Sequence, residues 1–70
     1  MTFPITLTAN GREFTVPAGS TIGDFLRERG FKPGLAVVEH NGQALTPAAP
    51  DRTPLQNGDR LEIVRIVAGG

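Results

Sequence analysis

Three Asn-Gly dipeptides, at positions 10–11, 41–42 and 57–58, constrain the fold of this 70-residue chain more than any other feature of its sequence. A type I′ hairpin turn needs a positive φ at both central residues, and Asn followed by Gly meets that need with little strain. A segment with strand-like patterning lies beside each dipeptide. We therefore expect a chain that reverses direction several times between short strands.

The segment FPITLTANGREFTV is predicted to form a β-hairpin around the first of these turns. Its apolar residues alternate with polar or small ones, which is the period of a half-buried strand. The predicted apolar face of the hairpin comprises Phe3, Ile5, Leu7, Phe14 and Val16. Pro4 has no N–H to donate, so an irregular start of the first strand is expected.

The segment STIGDFLRERG is predicted to form one short helix. Ser20 or Thr21 can cap it, and Thr21 followed three residues later by Asp24 fits the capping-box pattern. Gly30 suits the left-handed position that ends a helix. Gly23 costs about 1 kcal/mol relative to Ala inside a helix, so its presence indicates close packing. The apolar stripe of the helix comprises Ile22, Phe25 and Leu26.

Strand signals return in the second half of the chain. The apolar run from Leu35 to His40 predicts a strand buried on both faces, and residues 43–45 are predicted to return briefly after the second turn. Residues 46–54 contain three prolines and are expected to form an irregular crossing. The last strand is predicted from about Arg60 to Val67. A small helix that covers one face of a mixed sheet is an α+β arrangement.

The last strand carries apolar residues in both classes of its alternation. Leu61, Ile63 and Val67 are expected to face the core, which would leave Val64 and Ile66 exposed. An exposed β-branched patch beside the chain end would be a natural docking site. The alternative is a central strand buried on both faces, or a bulge that switches the register, and the sequence favours neither reading.

Composition excludes several classes of site. The chain has no cysteine, so it has no disulfide framework, thiolate zinc site or cysteine nucleophile. Seven Lys and Arg balance seven Asp and Glu, and no nucleic-acid partner is expected. No apolar stretch approaches the roughly 20 residues that span a bilayer, and no signal peptide is evident. We therefore expect no membrane partner, and we expect the protein to be cytoplasmic.

His40 is the sole histidine of the chain. It has no carboxylate or histidine neighbour at metal-ligand spacing, so it is expected to be a surface residue beside a turn, and no metal site is predicted. Asp59 follows Gly58 and is expected to stabilise the third turn through its side chain.

Three segments resemble the β-grasp sulfur carrier proteins of thiamine biosynthesis, the ThiS type. They are ANGREFTVPAGSTIGDFL near the start, VVEHNGQALTP in the middle and LQNGDRLEIVRIVAGG at the end. Together they cover nearly the whole chain in the right order. The most specific part is the Gly-Asp turn that leads into a strand ending in Gly-Gly.

The resemblance implies an α+β β-grasp (ubiquitin-like) fold, in which a mixed sheet packs against one main helix. Residues 1–67 would form this single domain, and residues 68–70 a flexible tail. An E1-like activating enzyme would use ATP to adenylate the carboxylate of Gly70, and a sulfur donor such as a cysteine desulfurase would supply sulfur. The resulting thiocarboxylate would pass its sulfur to thiazole synthase. The protein would be a co-substrate rather than an enzyme, with no cofactor bound.

The end of the chain suits such a role. Gly69 and Gly70 lack a Cβ, so the backbone of the tail formed with Ala68 could approach a nucleotide closely inside a partner's active site. The residues that precede the tail are expected to bind the partners. These residues are Val64, Arg65, Ile66 and Val67.

Three other functions remain open from the sequence. The chain could be another sulfur carrier of the same fold, such as the small subunit of molybdopterin synthase. It could be a ubiquitin-like modifier that forms isopeptide bonds with lysine amines. It could also be a binding module in which the Gly-Gly end is incidental.

Overall fold

The computed structural model describes residues 3–32 and 34–67 of the chain. These residues form five strands, one α-helix and one short 3-10 helix. In chain order the elements are β1 (Ile5–Ala9), β2 (Arg12–Val16), α1 (Ile22–Glu28), β3 (Ala36–His40), β4 (Gln43–Ala44), the 3-10 helix (Ala49–Arg52) and β5 (Arg60–Arg65). No helix within the described residues has the length and the apolar content needed to cross a bilayer.

The five strands form one mixed sheet in the order β2-β1-β5-β3-β4. β5 lies in the centre, parallel to β1 and antiparallel to β3. The two hairpins, β1-β2 and β3-β4, are antiparallel and occupy the two sides of the sheet. One helix packed on a mixed sheet confirms the predicted α+β class.

The core lies between α1 and one face of the sheet. Its buried residues are Leu7, Ala9, Ile22, Phe25, Leu26, Val38, Leu55, Leu61 and Ile63. Phe14 of β2 packs edge-on against Phe25 of α1, with 5.2 Å between the ring centroids. Phe3 was predicted to share this face, but it is 75% exposed. The prediction is wrong because β1 begins only at Ile5, after the proline, so Phe3 precedes the paired part of the sheet.

The capping box predicted for the helix is confirmed. Thr21 is the N-cap, and its Oγ1 accepts a hydrogen bond from the Asp24 N–H at 3.0 Å. The Asp24 carboxylate accepts one in return from the Thr21 N–H, and this bond lowers the pKa of Asp24. Gly30 has a φ of 85°, as expected for a residue that ends a helix.

The crossing predicted to be irregular contains the 3-10 helix, whose Pro50 is buried. Gly23 of α1 packs against this helix so closely that a Cβ would overlap the carboxylate of Asp51. This contact confirms the close packing predicted at Gly23. Arg27 of α1 also donates a hydrogen bond to Asp51, which ties the two helices together.

β3 was predicted to be buried on both faces, and this prediction is wrong. Val38 is buried, whereas Val37 is 47% exposed and Glu39 is exposed. Within the described residues, α1 covers only one face of the sheet. Successive side chains of a strand point to opposite faces, so the neighbours of Val38 point away from the helix.

The first two Asn-Gly turns have the predicted backbone. Asn10 and Gly11 have φ values of 51° and 79°, and Asn41 and Gly42 have values of 52° and 87°. The third turn differs, because only Gly58 has a positive φ there. In each of the three turns the Asn side chain also accepts a hydrogen bond from the backbone N–H of a strand residue. The donors are Ile63 for Asn10, Arg60 for Asn41 and Thr6 for Asn57. This role was not predicted from the sequence.

Asn10 binds the backbone of β5 through both polar atoms of its side-chain amide. Its Oδ1 accepts a hydrogen bond from the Ile63 N–H at 2.7 Å, and its Nδ2 donates one to the Ile63 carbonyl at 3.0 Å. The backbone N–H of Asn10 donates to the Leu61 carbonyl at 3.0 Å. The side-chain amide therefore acts as one further peptide unit of β1 and extends its pairing with β5.

A polar cluster joins the second and third turns at the start of β5. The Asp59 side chain is nearly fully buried and accepts a hydrogen bond from the Gln56 N–H at 2.8 Å, which confirms its predicted role in the third turn. Asn41 Nδ2 donates to the same carboxylate at 3.1 Å, and His40 Nε2 lies 3.0 Å from it. His40 is thus half-buried beside a carboxylate, and the expectation of a simple surface residue is wrong. The reason is that the fold brings two distant turns together.

Burial would by itself raise the pKa of Asp59. The hydrogen bonds from Gln56 and Asn41, together with His40, outweigh that effect and hold its pKa below the ordinary value. The folded pKa therefore lies below the unfolded value of about 3.9. A depressed carboxyl pKa contributes stability above the unfolded pKa, and that contribution is lost as the pH falls through the folded pKa.

Replacing Asn10 by Gly should destabilise the fold. Gly keeps the positive φ of the turn but leaves the N–H and the carbonyl of Ile63 without their partners. We expect the free energy of unfolding to fall by about 1–3 kcal/mol, as for buried hydrogen bonds that lose one partner. Urea denaturation measures this change. The matched variant Asn10→Asp keeps an acceptor and loses the donor, so its loss should be smaller. A loss below about 0.5 kcal/mol for Asn10→Gly would contradict the assigned role.

Replacing Asp59 by Asn should reduce the stability in a way that depends on pH. We expect a loss of about 1–3 kcal/mol near neutral pH, because an amide cannot accept all the hydrogen bonds that the carboxylate accepts. The difference in the free energy of unfolding between wild type and the variant should narrow as the pH falls from about 5 to about 2. The reason is that wild type alone loses the contribution of the carboxylate. Urea denaturation of both proteins across this pH range measures the difference, and Glu13→Gln, at an exposed residue, is the control. A gap that stayed constant with pH would argue against the depressed pKa.

Candidate functional site: the surface at the end of β5

The last strand ends earlier than predicted. β5 stops at Arg65 rather than Val67, although the Ile66 N–H still donates to the Leu35 carbonyl at 2.8 Å. Ala68, Gly69 and Gly70, which carry the predicted tail, lie outside the described residues. The structure therefore places the start of the tail, but the tail itself remains a prediction.

The structure decides which residues of β5 face outward. Leu61 and Ile63 are buried, whereas Val64 is 64% exposed and Ile66 is also exposed. The alternative of a central strand buried on both faces is therefore wrong. Val67 was expected to face the core, but it is 85% exposed because the pairing with β3 has ended before it.

Two residues outside the predicted set extend this exposed apolar region. Val37 of β3 lies directly opposite Val64 in the antiparallel register, and Leu35 lies just before β3. We call the whole region the tail-side surface, and its members are Leu35, Val37, Val64, Ile66 and Val67. Contiguous exposed apolar residues often mark an interface with another protein. Leu35 and Val37 were not among the predicted site residues, because the whole run from Leu35 to His40 was predicted to be buried.

Cations lie beside the tail-side surface. The guanidinium of Arg65 lies 4.7 Å from the centroid of the Phe31 ring, a cation–π contact that holds the side chain in place. Arg65 and Lys32 line a cavity of about 290 Å³ together with Leu35 and Ile66. Neither cation takes part in an ion pair among the described residues. Both are therefore available to acidic groups of a partner.

Two glutamates lie along the sheet from the tail-side surface, on the side away from the chain end. Glu39 of β3 and Glu62 of β5 are directly opposite each other in the register, and both are exposed. Like charges that face each other across two strands destabilise a sheet. A cationic group of a docked partner would remove that repulsion. This pairing was also missed, because it depends on a register that the sequence does not show.

The described residues contain no group of three or more His, Asp or Glu side chains that could hold a metal ion. The geometry of this end of β5 therefore supports docking: an apolar patch flanked by an acidic pair on one side and by cations on the other, at the base of the chain's last residues.

Comparison with solved structures gives close matches. The crystal structure of the thiamine biosynthesis protein ThiS from Geobacter metallireducens matches with a TM-score of 0.76 at 29% sequence identity, covering 94% of this chain and 100% of that one. An NMR solution structure of a thiamine biosynthesis protein from the same organism has a TM-score of 0.71 at 29% identity, covering 94% and 88%. These matches confirm the predicted β-grasp fold.

Comparison with families and curated proteins points the same way. The model of the ThiS family matches residues 3–70. A thiazole synthase of Magnetococcus marinus is 31% identical over 61 residues, which is 87% of this chain, and the chain spans only 19% of that protein's length. The uncharacterized protein ycf40 of Trieres chinensis is 31% identical over 65 residues, covering 93% of this chain and 89% of that protein.

Proposed function

This chain belongs to the ThiS family, a membership that supports a sulfur carrier role, and we propose that its sulfur is carried on the C-terminal carboxylate of Gly70. The observation that carries the proposal is the extent of the family match, which runs through the Gly-Gly end to residue 70. In this proposal the protein is not an enzyme. It is a co-substrate that is modified, emptied and used again, and it binds no cofactor of its own.

The chemistry requires activation, because a carboxylate is a poor electrophile. An E1-like enzyme would join the Gly70 carboxylate to the α-phosphate of ATP and release pyrophosphate. A sulfur nucleophile, supplied by a donor such as a cysteine desulfurase, would then displace AMP from the acyl adenylate. With a persulfide as the nucleophile the product would be an acyl disulfide, and a thiol reductant would attack its S–S bond, leaving a thiocarboxylate at Gly70 and a disulfide between the donor and the thiol.

The folded domain would supply the docking surface for this reaction. β5 pairs with β3 as far as Arg65, and the Ile66 N–H still donates to the Leu35 carbonyl, so the point at which the tail begins is fixed with respect to the tail-side surface. Docking of the tail-side surface on the activating enzyme would place the last residues in its active site. The apolar contact would offset the entropy lost when the tail is ordered.

The charges around the tail-side surface define the partner that would fit. The activating enzyme would present an apolar patch, a cation opposite Glu39 and Glu62, and carboxylates opposite Lys32 and Arg65. Arg65 was proposed from the sequence for this role, and its side chain is held in position by Phe31.

Thiazole synthase is the proposed acceptor of the sulfur, which would enter the thiazole ring of thiamine. The thiazole synthase of Magnetococcus marinus shares a segment of 61 residues with this chain, and this relation supports a link between the two activities. The proposal assigns no other acceptor.

Incubation with ATP, a sulfur source and a sulfur-carrier activating enzyme should change the intact mass of the protein. We expect a gain that matches one oxygen-to-sulfur exchange, and fragmentation should locate it at Gly70, because two residues without a Cβ let the terminal carboxylate, rather than an Asp or Glu side chain, enter the activating enzyme's active site. Intact-mass spectrometry measures this change. A variant that lacks Gly69 and Gly70 should keep the wild-type unfolding midpoint and show no gain.

Other outcomes would overturn parts of this proposal. A truncated variant that still supported sulfur transfer would rule out the mechanism. Conjugates with lysine amines that disappear when Gly70 is removed would show a ubiquitin-like modifier instead. Tight binding to a molybdopterin synthase partner, without binding to thiazole synthase, would change the acceptor and keep the carrier chemistry.

Replacing Val64 by Thr should weaken the interaction with the activating enzyme and leave the fold intact. Thr keeps the β-branched shape but places a hydroxyl in the middle of the apolar docking surface. Loss of about 1 kcal/mol of apolar contact would raise the protein concentration needed for half-maximal thiocarboxylate formation about fivefold. The rate of thiocarboxylate formation, followed by mass at varied carrier concentration, measures this effect.

The matched control is the reverse exchange, Thr46→Val, at an exposed position in the loop after β4. It should leave the half-maximal concentration unchanged. Equal values for Val64→Thr and wild type would show that the tail-side surface does not meet the activating enzyme.

A further inference from the structure

β2 is an edge strand of the sheet, and its outer side is unpaired in the described residues. The two-residue turn at 10–11 makes Ala9 and Arg12 a hydrogen-bonded pair. Pairing alternates along an antiparallel ladder, so Leu7 with Phe14 is the next bonded pair, and the backbone groups of Glu13 and Thr15 point away from β1. The outer edge of β2 therefore offers the N–H and the carbonyl of both residues.

A groove runs between this edge and the helix. It has a volume of about 620 Å³, and its lining includes Thr15 and Val16 of β2 and Asp24, Phe25 and Glu28 of α1. A strand added to the β2 edge would point every second side chain toward α1, into this groove. Val16, which is partly buried, would supply apolar contact there, and the buried ring of Phe25 lies beneath it in the core.

Cations mark one end of the edge. At the Arg12 end, the guanidinium groups of Arg12 and Arg29 lie 6.0 and 4.7 Å from the centroid of the Phe14 ring. They line a cavity of about 200 Å³ and take part in no ion pair among the described residues. Near the Val16 end, Asp24 is already occupied, because it pairs with Arg27 at 3.8 Å and accepts a hydrogen bond from the Thr21 N–H.

Stacking on Phe14 holds the two guanidinium groups in place but leaves their N–H donors free. Preorganised, unpaired guanidinium groups are good ligands for carboxylates. Edge strands of natural proteins are usually protected by short length, charged side chains, prolines, bulges or a covering segment. β2 carries charges only at Arg12 and Glu13, has no proline, and keeps a continuous register with β1 from Val16 to Arg12, so its second half stays open to pairing.

We propose that the β2 edge binds an extended segment of a partner protein as a sixth, antiparallel strand, apolar in its middle and acidic at its C-terminal end. Antiparallel addition places the C-terminal end of the segment beside Arg12 and Arg29 and its N-terminal end beside Val16. The backbone of Glu13 and Thr15 supplies the hydrogen bonds, and the two guanidinium groups set the direction by binding the acidic end.

This interface is separate from the tail-side surface. β1 lies between β2 and β5, so the two surfaces occupy different parts of the sheet. A carrier bound through the β2 edge would still present its C-terminus to a second protein. The inference therefore does not depend on the sulfur chemistry, and its test needs no activity of the protein.

The test uses two capped peptides of the same composition. The first has two lysines, then four alternating valines and threonines, then two aspartates; the second has the lysine and aspartate pairs exchanged. Titration of the ¹⁵N-labelled protein should shift the amide signals of Glu13 and Thr15 most strongly and saturate with the first peptide. The second peptide should bind about fivefold more weakly, since two surface ion pairs are replaced by repulsions.

Variants of the protein separate backbone pairing from charge. Thr15→Pro removes an outward N–H, and an edge strand tolerates proline at such a position, so binding should weaken about fivefold while the remaining spectrum stays folded. The double variant Arg12→Ser with Arg29→Ser should abolish the preference between the two peptides. The control Arg52→Ser, at an exposed cation of the 3-10 helix, should keep it.

Three results would overturn the proposal. The first is equal affinity of wild type for both peptides. The second is a set of shifts centred on the tail-side surface rather than on β2. The third is binding that does not saturate at millimolar peptide.

Discussion

The contact between the Asn10 side chain and the Ile63 backbone joins residues 53 positions apart, and the rest of the sheet depends on the pairing that it completes. The parallel ladder between β1 and β5 has only two paired positions of its own. Closing so long a loop costs chain entropy before any contact repays it. The amide of Asn10 lengthens the ladder at its end, and β5 can then sit between the two hairpins.

The central position of β5 explains where exposed apolar residues occur. In the described residues one helix covers one face of the sheet, so every second side chain of β3 and β5 points away from the core. Near the start of β5 these outward positions carry charges, whereas near its end they carry valine and isoleucine. Val37 and Val64 contribute no burial to the core from the open face, and their place on the tail-side surface is most simply explained by the proposed docking of a partner.

Local features of the fold could be predicted from the sequence, and features that depend on register could not. The capping box of Thr21 and Asp24 and the turns at 10–11 and 41–42 are set by residues a few positions apart, and all were predicted. The burial of β3 was mispredicted because an apolar run does not show how many faces of a strand are covered. The partners of Asn10 and of Asp59 were missed because they come from turns and strands far along the chain.

Composition also concealed the distribution of charge. Equal numbers of cations and anions gave a net charge of zero, and no polyanion partner was expected on that basis. The fold nevertheless sorts the charges: Arg12 and Arg29 at one end of the β2 edge, Lys32 and Arg65 beside the tail-side surface, and Glu39 with Glu62 on the open face of the sheet.

A molecule with no net charge attracts its partners only weakly over distances beyond about 8–10 Å at physiological salt. Recognition must then come from complementary groups in contact, where screening matters less. Two surfaces of different charge pattern on one small domain can therefore select two different proteins. Because β1 separates them, occupation of one need not exclude the other, and this suits the proposed carrier, which would be held and emptied by separate partners.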